Sequence, residues 1–191
     1  SGAGFWNVTG GSNTYLGAGA GTGASGQSNS NNTGVGKGAL TAITTGGNNV
    51  AVGSGSSDAI TSGADNVSLG KNSLSALTIG GHNIAVGSQA LGVLNGSGST
   101  NSAGNRNIGI GGYALGNLKG THADAFSNDN IAIGTEAGLA GTRGSAVPFS
   151  ANIAIGSYAL DATSSNTSIG QIAIGYNALT ALTSGAGNTA I

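Results

Sequence analysis

The apolar positions of this chain recur in a five-residue phrase: Asn, a β-branched residue, a small residue, an aliphatic residue and Gly, as from Asn49 to Gly53. In bare copies, successive phrases begin 17 residues apart, and a fixed period of this kind indicates a repeat architecture. Two apolar residues separated by one other residue have the period of a β-strand. The pattern therefore predicts an all-β parallel solenoid over 13–191, with about ten coils. The phrase begins at Asn13, Asn32, Asn49, Asn66, Asn83, Asn107, Asn130, Asn152, Gln171 and Asn188.

We number the columns of the repeat by position in the phrase. Columns two and four, such as Val50 and Val52, are predicted to point into the core, so Val52→Asp is expected to unfold the body. Column one is predicted to stack its amides from coil to coil, and the Gly of column five to occupy a tight turn. A second apolar wall completes a coil of two strands and two turns. Its members are Leu40, Leu74, Leu91, Leu115, Leu160 and Leu179, followed by Ile43, Ile60, Leu77, Leu94, Leu118 and Leu182.

Column three is almost always Gly, Ala or Ser, which indicates that another backbone lies close against it. The simplest interpretation is the same column of sister chains around a symmetry axis. The alternative is that small residues merely suit a chain rich in Gly. The predicted interface column consists of Gly34, Ala51, Ser68, Ala85, Gly109, Ala132, Ala154 and Ala173.

Three consecutive coils carry insertions after the second wall, at 95–106, 119–129 and 141–151. The insertions should lie side by side on one edge, and they concentrate charged and aromatic residues in an otherwise small and polar surface. Insertions on one face of a repeat array are often its recognition surface. The alternative is that they fold over the solenoid and bury their aromatic rings. The candidate receptor contacts are Arg106, Lys119, His122, Asp124, Phe126, Arg143 and Phe149.

Residues 1–12 do not match the repeat. Phe5 and Trp6 are predicted to cover the open end of the first coil, or else to form a junction with a preceding domain. The chain begins at Ser1 without Met and stops at Ile191 within a repeat, so we expect it to be a segment of a longer protein.

Composition narrows the function classes. The 39 Gly among 191 residues would suit disorder, but 38% hydrophobic residues in register and a net charge of −1 favour a folded array. Five Lys and Arg residues are too few for a nucleic-acid or anionic-membrane surface. The apolar runs are too short for membrane insertion by this segment.

The chemistry of known sites is poorly represented. The Gly-rich stretch around Lys37 lacks the Ser or Thr that follows the lysine of a phosphate loop. His82 and His122 stand in unrelated columns, which argues against a catalytic triad. Without Cys, and with sparse Asp, neither a thiolate metal site nor a calcium-binding roll is expected. We predict neither an enzyme nor a cofactor.

The phrases GHNIAVGSQAL and ANIAIGSYAL resemble the head repeats of trimeric adhesive fibres. One similar group is the left-handed β-roll heads of bacterial trimeric autotransporter adhesins. Another is the repeats of phage and prophage tail-fibre proteins, which share the following Ala-Leu pair. The resemblance implies a homotrimeric, extracellular segment that contacts a glycan or protein receptor on the host surface, in a virion tail fibre or on a bacterial cell. The longer repeats and the three insertions depart from the adhesin pattern.

An alternative from another class is an ice-binding β-solenoid, which presents a regular ladder of threonines. Thr44, Thr61, Thr78 and Thr183 nearly supply one.

Overall fold

The computed structural model describes residues 2–93, 95–96, 104–120, 127–139, 149–161, 168–182 and 185–191. This part of the chain is all-β. Its strands are β1 (Thr14–Leu16), β2 (Thr33–Val35), β3 (Val50–Val52), β4 (Val67–Leu69), β5 (Ile84–Val86), β6 (Asn95–Gly96), β7 (Ile108–Ile110), β8 (Lys119–Gly120), β9 (Ile131–Ile133), β10 (Phe149–Ser150), β11 (Ile153–Ile155), β12 (Ser168–Ile169), β13 (Ile172–Ile174), β14 (Gly185–Ala186) and β15 (Thr189–Ala190).

The phrases of the repeat form one parallel main sheet of ten strands, in the order β1-β2-β3-β4-β5-β7-β9-β11-β13-β15. Each column stacks on itself, so that Val50 pairs with Val67, and Ala51 with Ser68. Two smaller parallel sheets, β6-β8 and β10-β12-β14, lie elsewhere on the coils. The predicted parallel β-solenoid is thereby confirmed.

Column one forms the predicted amide ladder. The side chain of Asn66 donates from Nδ2 to Oδ1 of Asn49 and to the carbonyl oxygen of Gly80, at 3.0 and 2.9 Å. The same arrangement continues up the stack, and the ladder asparagines from Asn32 to Asn152 are buried. Because buried amides need partners, this ladder fixes the position of each coil on its neighbours.

The interior lies on the opposite side of the main sheet from the one expected. Column three is buried, with Ala51, Ala85 and Ala132 fully inaccessible, whereas Val52 of column four is 38% exposed. The coil is thin: a Cβ on Gly109 would lie 3.2 Å from Cγ of Leu91 and 3.0 Å from the carbonyl oxygen of Ala114. Only small side chains fit between the two walls. The prediction that columns two and four fill the core is therefore wrong.

The second apolar wall is confirmed as part of the core. Leu40, Leu74, Leu91 and Leu160 are fully buried, as are Ile43 and Ile60 of the following column. These leucines occupy turns with a left-handed backbone, φ 50 to 55°, and not the second strand that we expected. Burial of a large apolar side chain offsets the cost of that conformation, which is about 1–2 kcal/mol.

The Gly of column five occupies a site that other residues cannot share. Gly53 has φ 135°, and an added Cβ would lie 2.6 Å from the carbonyl carbon of Gly70 in the next coil. This confirms the prediction that the turn is sterically tight.

Tyr15 closes the first end of the core. It is the large exception in column three, and its hydroxyl donates to Oδ1 of Asn29 at 2.5 Å. The N–H of Trp6 extends the stack by bonding to the carbonyl oxygen of Thr22 at 2.9 Å. The rings of Phe5 and Trp6 are 62% and 42% exposed, so Tyr15 and not these rings covers the core.

Candidate interaction surfaces

The outer side of the main sheet is an aliphatic face, which we define as columns two and four. Alternation along a strand places these columns outward because column three points inward. In column four, Leu69, Ile110 and Ile133 are each 38 or 39% exposed. Column two consists of Thr14, Thr33, Val50, Val67, Ile84, Ile108, Ile131, Ile153, Ile172 and Thr189, and column four of Leu16, Val35, Val52, Leu69, Val86, Ile110, Ile133, Ile155, Ile174 and Ile191.

The aliphatic face forms a continuous apolar patch along the main sheet. Ten strands about 4.8 Å apart, each about 10 Å long, give a projected area on the order of 400 Å². Neither column contains a charged residue, and the only polar members are threonines near the two ends. The largest apolar patch on a monomeric protein typically has about this area, roughly 300–600 Å², and is often functional.

The predicted interface column does not lie on this face. It is enclosed between the main sheet and the second wall of its own chain, so no second copy can reach it. This corrects the assignment of Gly34, Ala51, Ser68, Ala85, Gly109, Ala132, Ala154 and Ala173. Their small size does reflect a close backbone, but that backbone belongs to the same coil.

The described ends of the three insertions lie against one another on one edge. The N–H of Asn105 bonds to Oδ1 of Asn128 at 2.8 Å, and the N–H of Ala151 to the carbonyl oxygen of Asn128 at 3.0 Å. At the other end of the first two insertions, β6 pairs with β8. These contacts agree with the expectation that the insertions leave the solenoid side by side.

Arg106 is held by an ion pair at this edge. Its Nε and Nη2 donate to the two carboxylate oxygens of Asp129, at 2.6 and 3.0 Å. The hydrogen bond raises the pKa of Arg106 and lowers that of Asp129. Both side chains are about half exposed, so the pair remains accessible.

The other candidate receptor contacts lie in different parts of the structure. Phe149 is 1% exposed and belongs to the core, which corrects its assignment as a contact and agrees with the alternative that the insertions bury aromatic rings. The backbone of Lys119 lies in β8. His122, Asp124, Phe126 and Arg143 lie outside the described residues.

The threonine column helps to hold the coils together. The hydroxyl of Thr44 donates to the carbonyl oxygen of Thr61 at 3.0 Å, and that of Thr61 to the carbonyl oxygen of Thr78 at 3.1 Å. These hydroxyl protons are thus engaged within the solenoid, and Thr183 lies outside the described residues. No observation here specifically favours ice binding.

The sequence analysis did not predict that the aliphatic face points outward, although the number of large apolar residues per coil indicates it. The second wall already supplies Leu and Ile at two positions per coil. A thin coil that also took Val, Ile and Leu from columns two and four would be overfilled. The large side chains of the second wall and the small side chains of column three together fill the interior of the coil without overfilling it.

Comparison with known proteins gives no match: no protein-family model, no curated protein and no solved structure matches this chain. Within the described ranges, no three His, Cys, Asp or Glu side chains are grouped so as to hold a metal ion, and no helix is long and apolar enough to cross a membrane. The function is therefore argued from the surfaces described above.

Proposed function

We propose that this chain is a structural and adhesive segment of a homotrimeric extracellular fibre, in which the copies pack together through the aliphatic face. The observation that carries the proposal is the outward-facing pair of columns two and four, which is aliphatic without interruption from Val50 to Ile174 along the main sheet. Burying apolar surface is the dominant favourable term in association, at about 25 cal/mol per Å².

A second copy of the same chain fits this face better than another partner does. Each strand of the main sheet contributes one residue of column two and one of column four, so the apolar residues of the face repeat at the spacing of the strands. A second copy of the chain presents the same spacing over the same length. It lacks charged groups, so stacking it on itself leaves no ion unpaired. In a three-fold arrangement, one column of each chain can face each neighbouring copy. The resemblance to trimeric fibre repeats supports three copies over two.

The adhesive part of the proposal concerns the insertion edge. This edge concentrates charged and aromatic residues, and insertions on one face of a repeat array are often its recognition surface. Arg106 and its ion pair lie at the described base of this edge. Attachment of a phage tail fibre to its host is the first candidate role, and a bacterial autotransporter adhesin head is the second.

The assembly is tested by measuring the mass of the purified chain by light scattering after size exclusion. We expect three times the chain mass of 17.9 kDa. A monomeric mass would overturn the proposal, and a dimer would overturn the three-fold packing.

Val52→Asp tests which face is used. Val52 points outward, so we now expect this variant to keep its fold and to lose self-association, because an unpaired carboxylate would be buried between the copies. Ser62→Asp is the matched control, since it adds the same charge at an exposed site of the same coil outside columns two and four. A Val52→Asp variant that stays trimeric would rule out the aliphatic face as the interface.

Adhesion is tested separately by deleting residues 121–126 and measuring attachment to host cells. This deletion restores the 17-residue spacing between Asn107 and Asn130, and it keeps Ser127 and Asn128, which bond to the neighbouring coil. We expect assembly to persist and attachment to be lost. Unchanged attachment would remove the insertion edge as the receptor site.

A further inference from the structure

A pocket with a volume of about 310 Å³ opens on the turn side of the solenoid, across four successive coils. This volume lies at the lower end of the range of about 300–1,000 Å³ for small-molecule sites. The residues that line it include Val93, Asn117 and Leu139, each of which stands two residues before one of the three insertions. The pocket is therefore at the foot of the predicted recognition edge.

Two of the lining residues are glycines at the same point of neighbouring coils. Gly92 and Gly116 are buried, line the pocket, and stand five residues after the column-five Gly of their coils. In other coils this position carries side chains: Thr22, Thr41, Asp58, Ser75, Leu139, Asp161 and Thr180. A Cβ at Gly92 would lie 2.9 Å from the carbonyl oxygen of Gln89, and one at Gly116 would lie 2.8 Å from that of Tyr113, so both turns are tight where they line the pocket.

The residues on the rim occupy a position that favours Gly. Gln89 and Tyr113 have φ 56° and 58°, and the first three coils place Gly19, Gly38 and Gly55 at the same point of the repeat. A larger residue in this left-handed conformation costs about 1–2 kcal/mol. Gln89 and Tyr113 therefore hold a strained backbone conformation, and both of them line the pocket.

The polar groups of the pocket are available to a ligand. Within the described ranges, the side chains of Asn72, Gln89 and Asn117 and the hydroxyl of Tyr113 make no hydrogen bond to the protein. The ring of Tyr113 is 45% exposed. None of the described residues that line the pocket is charged.

We propose that this pocket binds one or two rings of a neutral saccharide. The CH groups of a sugar ring pack on the face of Tyr113, and its hydroxyls exchange hydrogen bonds with the amides of Gln89 and Asn117, which both donate and accept. The described lining residues include no cation that could pair with a sialylated or phosphorylated ligand, so a neutral sugar fits them better. This inference deepens the proposed function, on which its choice of a surface glycan as ligand rests.

Saturation-transfer-difference NMR on the full chain tests the pocket. The probes are the methyl glycosides of glucose, galactose, mannose and N-acetylglucosamine, with N-acetylneuraminic acid as the charged comparison. We expect at least one neutral glycoside to bind and the acid not to bind. Tyr113→Ala should weaken binding about tenfold or more, and Tyr113→Phe should weaken it less, because the ring remains.

Tyr158→Ala is the matched control. Tyr158 occupies the equivalent position of a later coil with φ 61°, contacts Tyr176 edge-on, and does not line the pocket. Its loss should leave glycoside binding unchanged. The pocket proposal is overturned if no neutral glycoside binds, if N-acetylneuraminic acid binds equally well, or if Tyr113→Ala and Tyr158→Ala behave alike.

The two proposals fail in different ways, since the pocket needs only residues of this chain, whereas the fibre needs further copies. A monomeric chain that binds glycosides through Tyr113 would overturn the fibre and leave the pocket. A trimer that binds none of the probes would overturn the pocket and leave the fibre.

Discussion

The Oδ1 atom of Asn49 accepts two hydrogen bonds from Asn66, one from the side-chain Nδ2 at 3.0 Å and one from the backbone N–H at 3.1 Å. Each asparagine of the ladder therefore serves the coil on either side of it. A single amide column links the coils along the length of the main sheet.

Replacing a ladder residue should be costly. Asn66→Ala leaves Oδ1 of Asn49 with one donor fewer and the carbonyl oxygen of Gly80 without its side-chain partner. We expect a loss of about 2–4 kcal/mol in the free energy of unfolding, measured by urea denaturation. Asn48→Gly is the control: it removes an exposed hydrogen bond to Asp65 and suits the φ of 58°, so it should change stability by less than about 0.5 kcal/mol. Equal effects of the two variants would contradict the structural role of the ladder.

Column five offers a test of steric contact between coils. Gly53 and Gly175 share the same turn, with φ 135° and 127°, but an added Cβ meets the next coil at Gly53 and nothing within 4 Å at Gly175. Gly175→Ala should therefore cost only the backbone strain, about 1–3 kcal/mol. Gly53→Ala should cost several kcal/mol more, measured by thermal or urea unfolding. If both cost the same, the coils are not packed as closely as described.

Tyr15 should make stability depend on alkaline pH. Burial raises the pKa of its hydroxyl from 10.0 to about 12. The folded chain holds this proton more tightly than the unfolded chain, so the contribution is fully present below pH 10 and is lost as the pH rises to about 12. Because the ring is only half buried, we expect about 1 kcal/mol rather than the full linkage value.

The control for this titration is Tyr15→Phe. The variant should lose stability near neutral pH, because Asn29 loses its hydroxyl donor, and its unfolding free energy should fall less between pH 10 and 12. Urea denaturation across this range provides the measurement. An identical pH dependence in both proteins would show that Tyr15 is not the group responsible.

The ion pair on the insertion edge should be visible in the titration of Asp129. Its pKa is lowered by the hydrogen bond from Arg106, so its stabilising effect is present above the unfolded pKa and is lost as the pH falls through the folded value. Carboxyl chemical shifts measured by NMR against pH should place the pKa of Asp129 below its ordinary value, and Arg106→Gln should raise it. A pKa that does not respond to Arg106→Gln would exclude the pair in solution.

The sequence predicted the repeat well because its strongest signals are local. Asn49, Gly53 and their equivalents recur in fixed columns, and parallel stacking of identical coils follows from that recurrence. The second wall was also predicted, because Leu40, Ile43 and their equivalents recur at fixed positions of the repeat. The turns that contain these leucines were not predicted, because Leu rarely adopts a positive φ.

The direction of the main sheet could not be predicted from alternation alone. A period of two separates Ala51 from Val52 but does not say which of them points inward. That choice depends on the thickness of the coil, a property of how the two walls pack. The pocket was missed for a related reason: Gly92 and Gly116 are 24 residues apart in the chain, and only stacking brings them together.

In the amide ladder, the distance from one coil to the next does not depend on the number of residues in the repeat. Asn83 and Asn107 are 24 residues apart, yet their side chains meet at 3.1 Å, nearly the distance between Asn49 and Asn66, which are 17 residues apart. Extra residues inserted after the second wall therefore leave the rise from one rung to the next unchanged. A lineage could lengthen, shorten or exchange the segments at this edge without disturbing the scaffold, and the same freedom makes the edge a place to graft foreign binding loops.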